Sequence, residues 1–163
     1  MFSGSILNME WNPQSALNDF RAVAALAGVR LTEEDITIEQ LPAPHVAPSR
    51  LPAGMMAVYV FSLGDEVLKV GKVGPNSHAR YVYQHYNAGS AMSTLAGSLL
   101  ADKTQPQVVD LDPADVSGWI KRNIDRVNFV VSASLGVHVL SLLEAFIQCR
   151  LKPRYEGFRS QRI

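Results

Sequence analysis

The chain has 163 residues, 47% apolar and 18% charged, with a formal net charge of zero, as expected of one soluble domain with a real core. No apolar run approaches the ~18 residues needed to span a bilayer, and MFSGSILNMEW lacks the basic-then-apolar order of a secretory signal. A lone cysteine, Cys149, excludes an internal disulfide and makes the cytoplasm the expected compartment.

Neutral charge argues against indiscriminate wrapping of nucleic acid, but the average hides an asymmetry. Residues 1–50 hold six acids and three basic residues, and residues 51–163 hold nine acids and twelve basic residues. The C-terminal part is therefore the one suited to face phosphate.

In chain order, the first predicted element is a helix from Pro13 to Ala27, with Asn12 as cap, proline at its first position and Gly28 after its end. Leu17, Phe20, Val23, Ala24 and Ala27 form its apolar stripe. LPAPHVAPSRLP, residues 41–52, has four prolines and reads as an extended strap. His45 within it suits packing or surface better than metal binding, because no second ligand is near in sequence.

AVYVFSLGDEVLKVGK, residues 57–72, predicts a hairpin of strands Met56–Phe61 and Val67–Val73 joined by Ser62–Glu66. A five-residue loop sets Lys69 opposite Tyr59 on one face, whereas a four-residue loop parts them. A helix then runs from His78 to Tyr86, with Arg80 in its first turn and Tyr83, Gln84 and Asn87 on the same face. Further helices cover Ser93–Leu100 and Asp112–Arg122, and Arg126–Ala133 is the third strand. The last helix, Val137–Leu151, is broadly apolar, with Glu144 in its middle. A carboxylate there is costly unless paired, hydrogen-bonded or metal-bound. Cys149, beside no obvious base, reads as a core thiol, and His78 and His138 show no zinc-ligand spacing.

Taken together, these residues resemble the GIY-YIG nuclease superfamily. Ala57-Val58-Tyr59 is similar to its first motif, and Lys69-Val70-Gly71-Lys72 to its second, with lysine in the tyrosine slot. Arg80 follows Gly71 by nine residues, near the family's arginine. Leu142–Ile147 around Glu144, with Lys152-Pro153-Arg154-Tyr155 behind, resembles the glutamate helix and its proline-containing ending. The resemblance covers Met55–Gly157, while residues 88–125 match no family motif. Gln84 stands where the family often has tyrosine or histidine, and Glu156 where many members have asparagine.

The fold this implies is α+β: a small three-stranded mixed sheet, a hairpin plus one later strand, flanked by helices. Residues 1–54 form an N-terminal helix and proline-rich extension, and residues 55–163 the nuclease-like domain. The activity implied is metal-dependent endonucleolytic cleavage of DNA. Glu144 would bind one Mg2+ or Mn2+, mostly through water and phosphate, and so weakly. Arg80 would clamp the scissile phosphate, for which a planar fork is suited. Tyr59 would be base or water-positioning group, with Lys69 as a cation favouring the phenolate, a phosphate contact or itself the base. His85 is a further catalytic candidate. Lys72, Tyr83, Gln84, Lys152, Arg154 and Arg159 are candidates for holding the DNA backbone, and a double-strand cut would call for a homodimer.

Two other readings compete. One is a nucleic-acid-binding or adaptor module that kept the scaffold and lost turnover, which the departures at Lys69 and Glu156 favour. The other is a protein-interaction domain using the N-terminal helix and strap, which requires an exposed apolar patch on residues 1–50 and no phosphate site.

Overall fold

Asn12 opens the first helix as its sequence predicts: its side chain accepts the Ser15 N–H at 3.0 Å, and Pro13 occupies the first turn. In this computed structural model, which describes residues 11–155, the helix is α1, Pro13–Leu26. Strands β1 (Ile36–Leu41), β2 (Met55–Leu63) and β3 (Glu66–Val73) follow. Then come helices α2 (His78–Val82), α3 (Leu95–Ala101) and α4 (Val116–Asn123), strand β4 (Asp125–Ser132) and helix α5 (Val137–Leu151).

The α+β class holds, but the sheet differs from the expected three-stranded mixed one. It has four strands in the order β1-β4-β2-β3, and every neighbouring pair is antiparallel. The additional strand, β1, comes from the segment before the proline strap. It pairs with β4 along its length, from Ile36 opposite Val131 to Leu41 opposite Arg126. Its alternation is confined to Ile36 and Ile38, because an edge strand with polar Thr37, Glu39 and Gln40 carries only a short period-2 signal.

Helices cover both faces of the sheet. On one, α1 and α5 bury Leu17, Phe20, Leu140, Leu143 and Ile147 against Val58, Val60, Val70, Phe129 and Val131. Leu17, Phe20 and Ala24 of the α1 stripe are thus buried, while Leu26 and Val46 remain exposed. On the other face, α2, α3, α4 and the strap residue Leu51 cover Ala57, Tyr59, Phe61, Leu68 and Val73. His45 packs here too, its ring 5.7 Å from that of Tyr86 and its Nε2 2.8 Å from the Tyr86 hydroxyl.

Three local expectations are corrected. The hairpin turns through Gly64-Asp65 alone, Leu63 pairing with Glu66, with Gly64 at φ +56. The helix predicted over His78–Tyr86 stops at Val82, and a 3-10 turn takes up Gln84–Tyr86, because Tyr83 leaves helical geometry at φ −133. Tyr83, Gln84 and Asn87 therefore do not share a helical face with Arg80. Cys149 is exposed on α5 and is not a core thiol. Among the described residues no helix is long and apolar enough to cross a membrane.

Candidate functional site

The short hairpin turn creates a problem of register that the strand itself solves. With Leu63 opposite Glu66, simple alternation sets Lys69 opposite Val60, on the apolar face under α1 and α5. A β-bulge intervenes: Ser62 pairs with Val67 and Phe61 with Lys69, leaving Leu68 as the additional residue. Lys69 is thereby turned to the face that carries Tyr59 and Phe61. It lies opposite Phe61, not opposite Tyr59 as the five-residue loop would have it, and Tyr59 lies opposite Gly71.

That pairing explains the glycine. A Cβ on Gly71 would stand 2.2 Å from the Tyr59 hydroxyl oxygen and 2.6 Å from its Cζ, so the ring lies directly over the β3 backbone. Only a residue without a side chain lets the phenol reach the edge of the sheet.

β3 is that edge, and a hollow of about 90 Å³ opens along it, lined by Tyr59, Lys69, Val70, Gly71, Lys72, Arg80, Ser93 and Glu144. Tyr59 and Lys69 come from the face under α2 and α3. Glu144 comes from α5 on the other side of the sheet, and Arg80 from α2. Three cationic side chains face one carboxylate, so the hollow attracts anions. The amine of Lys69, whose side chain is 1% exposed, donates to Ser93 Oγ at 3.0 Å, a burial rare for lysine. Arg80 reaches the carbonyls of Met92 and Ser93 through long contacts of 3.4 and 3.5 Å. Lys72 forms an ion pair with Glu144.

No family model, curated protein or solved structure matches the chain. The chemistry of the hollow is therefore what speaks to function.

Tyr59, Lys69, Arg80 and Glu144, four of the five catalytic candidates, line the hollow, together with Lys72. His85 does not. It is fully buried, its ring 4.4 Å from that of Tyr59, and its Nδ1 accepts the Leu95 N–H at 3.3 Å. Burial first, then the nearby charges of Arg80, Arg126 and Lys69, lower its pKa to about 2, so it stays neutral and acts as packing beneath the phenol. Tyr83 is half exposed, Gln84 sits in the 3-10 turn and Lys152 is the exposed, left-handed cap of α5, all outside the hollow. Arg154 is engaged by two acids, Nε donating to Asp102 at 2.8 Å and Nη1 to Glu66 at 3.0 Å. Arg159 and Glu156 lie outside the described residues.

Sequence reasoning passed over Ser93, which belongs to a segment without motif and is held at φ +57, a conformation a serine seldom adopts. It also passed over a buried row beside the hollow. Glu39, Asn128, Tyr59 and Gly71 lie opposite one another across all four strands, and Leu41, Arg126, Phe61 and Lys69 form the next row on the same face. Arg126, fully buried, donates to Asn128 Oδ1 at 2.9 Å, the Tyr86 hydroxyl at 3.2 Å and the Tyr81 carbonyl at 2.8 Å. Its guanidinium also lies over the rings of Phe61 and Tyr81. The Tyr81 hydroxyl and the Asn128 amide both donate to Glu39, at 2.6 and 2.8 Å. Burial and that carboxylate push the Tyr81 phenol well above its ordinary range. This network fixes the floor on which Tyr59 and Lys69 stand.

Proposed function

We propose that the chain is a divalent-cation-dependent endonuclease that hydrolyses phosphodiester bonds in DNA at the β3 edge, in line with its resemblance to the GIY-YIG nuclease superfamily. The observation that carries this reading is the meeting of Tyr59, Lys69, Arg80 and Glu144 around one hollow, from separate elements and from both sides of the sheet. Arg80, held by long carbonyl contacts, turns its fork onto the phosphate. Lys69, presented by the bulge, neutralises charge that grows on the phosphoryl oxygens during attack. The Tyr59 hydroxyl, lying over Gly71, orients the attacking water.

Among the described residues no group of three or more His, Cys, Asp or Glu side chains gathers to hold a metal. The donor set fits a loosely held Mg2+ or Mn2+, with Glu144 as its single protein carboxylate and water and phosphate oxygens as the rest. Bound there, the ion would supply charge neutralisation and a more acidic water. Lys72 is the present partner of that carboxylate and would have to yield it.

That ion pair favours a second reading, a nucleic-acid-binding module without turnover in which Glu144 serves to hold Lys72. One experiment separates the two: plasmid is incubated with the protein and Mg2+ or Mn2+, and the experiment is repeated with Glu144→Ala and Arg80→Ala. Nicking by the wild type at least about 100-fold faster than by either variant supports hydrolysis at this site. Equal behaviour of all three removes the nuclease reading, and retarded DNA migration without nicking leaves the binding module.

A further inference from the structure

Arg154 and Tyr155 lie just beyond α5, and their backbone amides donate to β3 at one place: Arg154 N–H to Val67 O at 3.0 Å and Tyr155 N–H to Leu68 O at 2.9 Å. Val67 and Leu68 are the two residues before Lys69, and Leu68 is the additional residue of the bulge. The side chains lock this contact. Arg154 donates to Asp102, Glu66 and Thr104 Oγ1, and the Tyr155 hydroxyl donates to Asp102 at 2.8 Å. Asp102 is nearly buried at 7% exposure and also accepts the Thr104 N–H at 2.7 Å. The assembly thus joins the end of α3, the start of β3 and the end of α5 at the point where register decides which way Lys69 faces.

Resting on the reading of the hollow as a phosphate site, we infer that Arg154 is a positioning residue: its clamp with Asp102 and Glu66 holds the Leu68 bulge and so aims Lys69 into the hollow. An arginine that basic composition assigns to DNA is already neutralised by two acids, and its effect on phosphate passes through Lys69. Without the clamp the bulge is one step from the regular ladder, in which Lys69 would turn toward the apolar face.

The test is a double-mutant cycle on affinity for inorganic phosphate, with Arg154→Met and Lys69→Met singly and together. Arg154→Met should weaken binding about tenfold when Lys69 is present and less than about twofold in the Lys69→Met background, because the two act as one unit. Equal losses in both backgrounds, or no loss while Lys69→Met binds poorly, overturn the inference. A general loss of fold would act in both backgrounds, and Arg154→Lys, keeping one ion pair but not the fork, should recover part of the affinity.

Backbone NMR keeps the outcomes apart should phosphate bind none of the proteins, which would count against the phosphate reading itself. In Arg154→Met the amide signals of Leu68, Lys69 and Ser93 should move while those of β1 stay in place. If the Leu68 and Lys69 signals match the wild type, the clamp does not hold the bulge.

Discussion

At the scale of single residues, the hollow depends on one missing side chain. Gly71 clears the space the Tyr59 ring occupies, and an alanine methyl would overlap the hydroxyl and ring carbons. The ring has little room to retreat, with His85 and Phe61 at 4.4 and 5.5 Å on their centroids. Gly71→Ala should therefore cost about 1–3 kcal/mol of stability, as overpacking of a filled site does, and should abolish nicking. Gly74→Ala, where nothing lies within 4 Å of the new methyl, should stay close to wild type. Denaturant midpoints of the two variants decide this, and equal midpoints would show that the phenol moves aside freely. The types of Tyr59, Gly71, Arg80 and Glu144 were legible from their order and spacing. Ser93 was not, because its part comes from a left-handed loop conformation brought against Lys69 from 24 residues away.

At the scale of elements, the clamp between α3, β3 and the end of α5 gives the fold an acid-sensitive joint. The Arg154 guanidinium, helped by the Thr104 and Tyr155 donors and against the effect of burial, holds the Asp102 carboxyl well below the usual carboxylate range. A depressed carboxyl contributes stability that is present above the unfolded value near ~4 and is lost as pH falls below it. The groups facing it are Arg154, Thr104, Tyr155 and the Gln105 N–H, with Glu66 on the far side of the arginine. Lowering pH from about 5 to about 3 should reduce the melting temperature of the wild type more than that of Asp102→Asn. Parallel profiles would mean that this carboxylate is not what the acid attacks. Periodicity announced α1 and α5 because each buries a long stripe against the sheet, and Asn12 and Gly28 marked the ends of α1. The bulge left no such mark: LGDEVLKVG supports a two-residue or a five-residue turn equally well, and distant Arg154 and Tyr155 grip one of the two registers.

At the scale of the whole molecule, zero net charge offers no overall attraction to a polyanion, so the proposed DNA binding would rest on local clusters such as the hollow. With Lys69, Lys72 and Arg80 as its cations, the logarithm of the DNA association constant should fall against the logarithm of salt with a slope of about −2 to −3. Fluorescence anisotropy on a short duplex measures it, and a slope several times steeper would place the DNA on a broader surface than this hollow. The sequence by itself determined the α+β class, the capped start of α1 and the residue types that line the hollow, since capping, periodicity and hairpin composition act over a few neighbours. Only the tertiary structure decided that Ile36–Leu41 closes the sheet as a fourth antiparallel strand, that Arg154 faces acids, and that Glu144 pairs with Lys72. These partners are chosen among groups 52 or more positions apart, where local preference is silent and the packing of the whole core selects.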